Sequence, residues 1–426
     1  MRVTLVTQYY APEIGAPQTR LRETAAKLIE SGWEVRVITC QPHYPHGVIP
    51  SGYSAFGPRN ERIDGVDVVR LPTVARPNRG FANRVVDQAA FALMAGTAMR
   101  HARWADVLLI ESPPLFLGFT ARWLSAASGR PYVLHVADPW PDYPIELGVL
   151  RSRLAIAAAR GLERWAYAGA HAITTPTAGC RALIEAQASA RGKVTVVPNA
   201  VDTRRFADEV PASRARALLG WDQERFTYAY VGTVGLAQGL ETLISAAAHM
   251  TSLWTRPQPP VIKIVGDGQD VARLKVLAAE RAPGLVDFVE PVARDMVPTI
   301  LAAADVGLVL LRSGRLARAA LPTKLVEALA AGLPVVVSAD GEASDIIVAG
   351  RVGLASPAED HVQMADAMVR LADAPEERGE MSLRARELVR TAYDRRVVVD
   401  KLADVLSAAV RGPPGPSSPD RAKSEP

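Results

Sequence analysis

Short apolar runs recur along the chain, each followed by a segment long enough for a helix. In the first half Val3–Thr7, Glu34–Thr39, Val66–Leu71, Val107–Ile110, Tyr132–Val136, Ala172–Thr174 and Val194–Val197 read as strands. A strand covered on both faces is apolar nearly throughout, and it reaches a parallel neighbour by way of a helix. The pattern therefore predicts a parallel sheet with helices on both sides. The first connection holds Pro12, Gly15 and Pro17, then a helix from about Thr19 to Glu30 with Gly32 beyond its end. From Thr227 the pattern begins again: Thr227–Val231, Val261–Val265, Val286–Val289, Val306–Leu311, Val335–Val337 and Gly353–Ala355 alternate with helices such as Leu240–His249 and Val271–Glu280. At 426 residues the chain is too long for one ordinary core. The expected fold class is α/β: two doubly wound, Rossmann-like domains facing a central cleft, with a hinge near Val197–Asp202. Ligands of such sheets bind outside the carboxyl ends of the strands.

The stretch Leu321–Val336 carries the sharpest chemical signal. Pro322 ends a turn, a helix follows with Lys324 and Glu327 one turn apart, Gly332 stops it, and Pro334 opens the next strand. Residues three apart on a helix are neighbours. A cation and a carboxylate are thus offered together at a helix N-terminus, which itself attracts anions. Phosphate joined to sugar hydroxyls would fit both groups, whereas a plain surface ion pair is the bland alternative.

Composition narrows the classes. Hydrophobic residues at 49% and charged residues at 22% describe a globular protein. A formal charge of +4 with pI near 9.1 is mild for this length and does not indicate a nucleic-acid binder. It suits a polyanionic small ligand or loose contact with an anionic membrane. Two cysteines, Cys40 and Cys180, exclude a disulfide framework and a zinc site built on cysteine pairs. No run of 18 uncharged apolar residues exists, the first strand starts at the N-terminus, and cytoplasmic residence is the expectation. Residues 412–426 have the Pro, Ser and charge content of a disordered tail. The segment Phe81–Trp104 is helical, and its middle, Gln88–Met99, is uncharged and flanked by Arg79, Arg84, Arg100 and Arg103. Burial in the core and interfacial contact with a membrane are both open for it.

Other loops add candidates. Gly232, Gly235 and Gly239 follow a strand and open a helix, so the backbone there can approach a phosphate. The spacing is neither a dinucleotide fingerprint nor a Walker A sequence. Gly15 holds the corresponding place in the first half. His135 and Asp138 lie at and just past the end of a strand. No D-x-D pair, G-x-S-x-G elbow or metal-spaced histidine cluster occurs, so no catalytic metal is implied.

Taken together, Gln8–Gly15 with Thr19, Arg20 and Leu21, then Glu111–Leu115, His135–Pro141, Val197–Asp202, Gly235–Leu240, Val265–Gly268, Ala303–Asp305 and the Lys324–Glu327 segment resemble, in order, the retaining GT-B glycosyltransferases of family four. The similarity runs from Val3 to about Val410. It is strongest toward bacterial members that build capsule, O-antigen or exopolysaccharide, such as fucosamine and N-acetylhexosamine transferases. The resemblance implies an acceptor-side domain over 1–197, a domain over 198–390 that binds the nucleotide sugar, and a helix over 391–411 packing back toward the first domain. It places Glu327 on the donor ribose, Lys324 on the diphosphate, His135 beside the donor sugar and Gly15 near the reacting centre. Gly232, Gly235, Gln238 and Gly239 would stand at the phosphates, with Arg20 as a further phosphate contact.

The implied donor is a nucleoside-diphosphate sugar, UDP-sugar favoured, and the acceptor a saccharide or lipid-linked sugar. No cofactor is expected beyond the donor, which is a substrate. A peripheral contact with the cytoplasmic membrane face is compatible with this reading. In the implied mechanism the departing phosphate oxygen takes the acceptor's proton, with Asp138 as the alternative base.

Three departures stand out. Ala319 replaces the first glutamate of the family's pair, Thr233 and Gln238 replace a basic pair, and Ala200 stands where many relatives have glycine. An epimerase acting on UDP-N-acetylglucosamine and a non-catalytic nucleotide-binding scaffold remain as rival readings.

Overall fold

The structure, a computed structural model, describes residues 1–44, 46–76, 80–146, 148–207 and 210–412. Arg79 and the expected tail from residue 413 onward lie outside the described residues. By its internal contacts the chain divides into two units. Unit 1 comprises Met1–Thr175, Arg181–Val197 and the segment from Val399 onward, and unit 2 comprises Pro176–Cys180 and Pro198–Val398.

Unit 1 is built on an eight-stranded sheet of order β3-β4-β2-β1-β5-β6-β7-β8. Its strands are β1 Arg2–Val6, β2 Glu34–Cys40, β3 Arg59–Ile63, β4 Val66–Leu71, β5 Val107–Ser112, β6 Tyr132–Val136, β7 Ala172–Thr175 and β8 Val194–Val196. All pair in parallel except β3, which runs antiparallel to β4. The central strands are buried from end to end, as in β5 and β6, because helices cover both faces. The helices used below are α1 Ala16–Glu30, α2 Phe81–Ala95, α3 Met99–Trp104, α4 Leu117–Ser128, α5 Asp142–Glu146 and α6 Arg153–Gly169. Helix α1 starts three residues earlier than the sequence suggests, with Pro17 in its first turn, where a missing N–H costs nothing.

Strand β3 was not expected. Its sequence, Arg-Asn-Glu-Arg-Ile, has one apolar residue, and its burial pattern is mostly exposed. It is an edge strand, and charged side chains there discourage pairing with other chains. Its one sequence signal is the two-residue turn Asp64-Gly65, with φ of 49° and 82°. Two successive positive φ values are what a tight hairpin between twisted strands requires.

Unit 2 holds a six-stranded, all-parallel sheet of order β11-β10-β9-β12-β13-β14. The strands are β9 Thr227–Val231, β10 Val261–Val265, β11 Val286–Val289, β12 Val306–Leu310, β13 Val335–Ser338 and β14 Gly353–Ser356. The helix Thr323–Ala330 precedes β13, with Pro322 at its N-cap. Gly332, at φ +71°, turns the chain back toward the strand, a conformation glycine adopts without steric cost. Among the described residues, no helix is long and apolar enough to cross a membrane.

Candidate functional site

Two clusters of chemistry-bearing residues lie at strand ends, one in each unit. In unit 2 the loop Gly232–Gly239 follows β9. Gly232 has φ +142°, and a Cβ there would stand 3.1 Å from both Cε and Nζ of Lys324. The loop after β10 comes equally close, because a side chain on Gly266 would collide with the Gly232 carbonyl and one on Gly268 with that of Val234. The two loops are joined by hydrogen bonds from Gly232 N–H to the Val265 carbonyl and from Val234 N–H to that of Asp267, each 2.9 Å. The glycines therefore serve backbone-on-backbone packing as well as access for a ligand.

Lys324, in the first turn of Thr323–Ala330, reaches back over this loop. Its ammonium donates to the Tyr230 hydroxyl and lies 4.1 Å from the ring centroid. Tyr230 in turn donates to the Thr233 carbonyl at 2.6 Å. Burial pushes the Lys324 ammonium down to about 7, with Glu327 opposing the shift. A lysine so desolvated is poised to gain a proton when an anion arrives.

Glu327, one turn on, is half-buried, with an Arg294 nitrogen 3.7 Å from Oε1. Gln238 accepts the Gly235 N–H at 3.1 Å and so caps the loop from within, before Gly239, at φ +62°, turns into the next helix. Arg312 was missed by the sequence reading. Its N–H donates to the Ala237 carbonyl at 3.1 Å, and its guanidinium lies on Glu241 and Glu359 at 3.2 and 3.4 Å.

The replacement at Ala319 has a packing reason. Ala319 is buried, and its carbonyl accepts from Thr177 Oγ1 at 2.6 Å. A Cβ on Gly179 would stand 2.9 Å from the Ala319 methyl. Glu342 fixes that segment by accepting the N–H groups of Ala178 and Gly179 at 3.1 and 3.0 Å. Position 319 is thus occupied by close packing and presents no polar group to a ligand.

In unit 1, Glu111 and His135 are register partners at the ends of β5 and β6. Arg20 of α1, which the resemblance would place at a phosphate, donates to Glu111. His135 Nδ1 lies 2.9 Å from Thr174 Oγ1. His135 Nε2, Glu111 Oε2 and both side-chain polar atoms of Gln8, just past β1, have no hydrogen-bond partner among the described residues. These residues are 6%, 5% and 1% exposed. Burial, reinforced by Arg20, pushes His135 well below its ordinary value, so the ring is neutral. Burial pushes Glu111 up against the pull of Arg20. Buried polar groups are seldom left unpaired, and three at the ends of neighbouring strands suit hydroxyls that both donate and accept.

Asp138 is exposed. Gly15 stands in extended conformation at the N-cap of α1, its carbonyl accepting from Thr19 N–H and Oγ1 at 3.0 and 2.9 Å.

Next to this edge lies a network the sequence did not disclose. Glu13 accepts the N–H groups of His43 and Tyr44, each at 2.8 Å, and His43 Nε2 lies 3.1 Å from both Asp87 oxygens. Burial alone would push the His43 imidazolium down, but Asp87, Cys40 and the Gln41 carbonyl together outweigh it and hold the group up at about 11. The first loop, the segment after β2 and helix α2 are thereby tied together.

Gln8→Leu tests whether the unpaired atoms await a ligand. Leucine removes two buried polar atoms whose desolvation costs about 1 kcal/mol or more. The unfolding midpoint should rise by about 2–4 °C per kcal/mol for a unit of this size. A lowered midpoint in differential scanning calorimetry would mean that Gln8 already has partners in the free protein.

Two family profiles match the chain: "Glycosyl transferase 4-like domain" over residues 15–200 and "Glycosyl transferases group 1" over residues 213–388. The protein belongs to the glycosyltransferases of the family-four type, with the GT-B fold. It is 28% identical over 348 residues, 80% of this chain and 84% of the relative, to the Escherichia coli K12 protein named as a colanic acid biosynthesis glycosyl transferase, WcaI. It is 25% identical over 413 residues, 95% of this chain and 98% of the relative, to a Mycobacterium tuberculosis GDP-mannose-dependent alpha-(1-6)-phosphatidylinositol monomannoside mannosyltransferase. Among solved structures, Anabaena Alr3699/HepE in complex with UDP is similar at a TM-score of 0.70 and 16% identity, over 96% of this chain and 100% of that one.

Proposed function

We propose that the protein is a retaining, metal-independent glycosyltransferase that moves a hexosyl group from a nucleoside-diphosphate sugar to a saccharide or lipid-linked acceptor in cell-surface polysaccharide synthesis. The observation that carries this reading is the Lys324 ammonium held over the Gly232 loop by Tyr230. Negative charge grows on the diphosphate as the bond from C1 to its oxygen breaks. A cation with backbone dipoles, fixed beforehand in a water-poor site, stabilises that charge without reorganising. Glu327 accepts the ribose hydroxyls. His135, neutral and with Nε2 unpaired, exchanges a hydrogen bond with a hydroxyl of the transferred sugar. The acceptor hydroxyl attacks the face that the diphosphate leaves, a C1–O bond forms, and the hydroxyl proton passes to the departing phosphate oxygen. Asp138 is the alternative base.

UDP is the nucleotide favoured, supported by the Anabaena structure that holds it. The GDP-mannose of the mycobacterial relative makes GDP the competitor to test. The cell-surface role rests on the name of the Escherichia coli relative. Contact with the cytoplasmic face of a membrane belongs to the same reading, since a lipid-linked acceptor would lie there. Metal independence rests on the sequence, which offers no D-x-D pair and no metal-spaced histidine cluster to hold an ion beside the diphosphate.

Transfer from a labelled UDP-hexose panel into a membrane lipid extract should therefore continue in excess EDTA, with the anomeric configuration of the donor kept in the product. Complete loss of turnover, restored by manganese or magnesium, would overturn the metal-free mechanism, and an inverted product would overturn retention.

A further inference from the structure

The glycine loop that follows β9 meets a cation at each end. At Gly232 the cation is Lys324. At Gly239 it is Arg312, whose Cγ would stand 3.0 Å from a Cβ placed there. The Arg312 N–H, 3.1 Å from the Ala237 carbonyl, ties the loop after β12 to the loop after β9. These two strands are neighbours in the sheet. From them the strand order runs outward both ways, to β10 and β11 on one side and to β13 and β14 on the other. Such a point of reversal is where doubly wound sheets bind ligands, outside the carboxyl ends of the strands. Arg312 follows β12 by two residues and so stands at the edge of that crevice.

Its partners in the free protein hold it lightly. The guanidinium lies on Glu241 and Glu359, and the three side chains are 43%, 39% and 40% exposed. Ion pairs so open to water contribute little to stability. Neither carboxylate depends on Arg312 alone. Glu241 also pairs with Arg273 at 2.8 Å, and Glu359 also accepts from Ser313 Oγ. Release of Arg312 therefore leaves both acids with a partner.

The loop itself offers a diphosphate no charge. Thr233 and Gln238 are neutral, and Gln238 is occupied with the Gly235 N–H. Arg20, expected at a phosphate, is instead paired with Glu111. A nucleoside diphosphate carries more negative charge than Lys324 alone offsets.

We propose that Arg312 is the second phosphate-binding cation of this site. When the nucleoside diphosphate arrives, the guanidinium leaves Glu241 and Glu359 and donates to phosphate oxygens, with the fork geometry that suits them. The two glutamates hold it at the crevice in the free protein. The assignment rests on the reading of unit 2 as the nucleotide-sugar site and adds the residue that stands in for the missing basic pair.

The test is a double-mutant cycle, read by calorimetric titration of UDP, or of GDP where that is the nucleotide bound. Arg312→Gln is expected to weaken binding by about tenfold or more. Glu241→Gln/Glu359→Gln should tighten it several-fold, because the arginine no longer has to leave a carboxylate. The decisive comparison adds Arg312→Gln to that double variant, where a loss of about tenfold should persist. A loss that disappears there would mean that Arg312 only neutralises the two glutamates, and would overturn the proposal. Absence of tightening in Glu241→Gln/Glu359→Gln would contradict release from those carboxylates. Uridine, which lacks phosphate, should bind all four proteins alike, and a parallel loss of uridine affinity would mean a deformed loop and overturn the assignment. A wild type that binds neither nucleotide removes the nucleotide-site reading itself. Binding by the wild type that Arg312→Gln matches removes Arg312 alone.

Discussion

Lys324→Ala is expected to lower sugar transfer by about 10²–10³-fold, since on the proposed mechanism it removes a preorganised charge aimed at the leaving diphosphate. The fold should survive, for a reason visible in the lysine itself. Its folded pKa lies below the ordinary value of 10.5, so carrying the charge in that setting opposes folding. That penalty is fully present below about pH 7 and fades as the pH rises toward 10.5. Removing the ammonium therefore does not cost stability on this account, apart from the lost contact with Tyr230. Transfer of labelled hexose and a thermal unfolding scan on the same preparation separate the two effects. Activity within a few-fold of the wild type would sink the assigned role.

The affinity for UDP should fall as the pH rises above about 7, where free Lys324 gives up its proton. On the proposed reading the bound diphosphate requires the charged form, so each binding event must then take up a proton. The limiting slope is tenfold per pH unit. Below pH 7 the lysine is already charged and the affinity should level off. Lys324→Arg, whose guanidinium stays protonated, should remove the dependence even if its shape weakens binding. Calorimetry in HEPES and in Tris reads the proton uptake directly as a difference in apparent enthalpy. A pH-independent affinity for the wild type would mean that Lys324 does not meet the diphosphate.

The parallel strands were legible because buried strands in a doubly wound sheet must be apolar, and their boundaries hold to within a residue or two from β1 through β14. Strand β3 was not, since an edge strand needs no apolar run. The Asp64-Gly65 turn was the signal that could have found it. Lys324 was legible from the helix start that carries it, and the structure sets it over the glycine loop as two sequence-distant motifs would require. Tyr230 was not, because a tyrosine inside a buried strand reads as core until the hydroxyl's partners are known. Arg20 was readable as a cation but not as the partner of Glu111, which lies 91 residues away.

Glu111 and Gln8 were visible only as polar residues near strand ends. What singles them out is their unpaired buried atoms, a property of packing that the sequence does not carry. Ala319 is the mirror case. The sequence showed a missing carboxylate, and only the structure shows Gly179 packed against the methyl that replaced it. The uncharged stretch of α2 left two readings open because composition has no direction. One face of the helix, with Phe91, Ala92 and Ala95, is core, while Leu93 and Met94 on the other are exposed.

The central claim is that the Gly232 loop, Tyr230 and Lys324 together bind a nucleoside diphosphate. Calorimetric titration of UDP, with GDP in parallel, into the wild type and Lys324→Ala below pH 7 tests it most directly. The expected result is saturable binding of one UDP per wild-type chain, weakened by about tenfold or more in the variant through loss of a charge-assisted contact. Absence of binding by either nucleotide, or equal affinity in the two proteins, would contradict it.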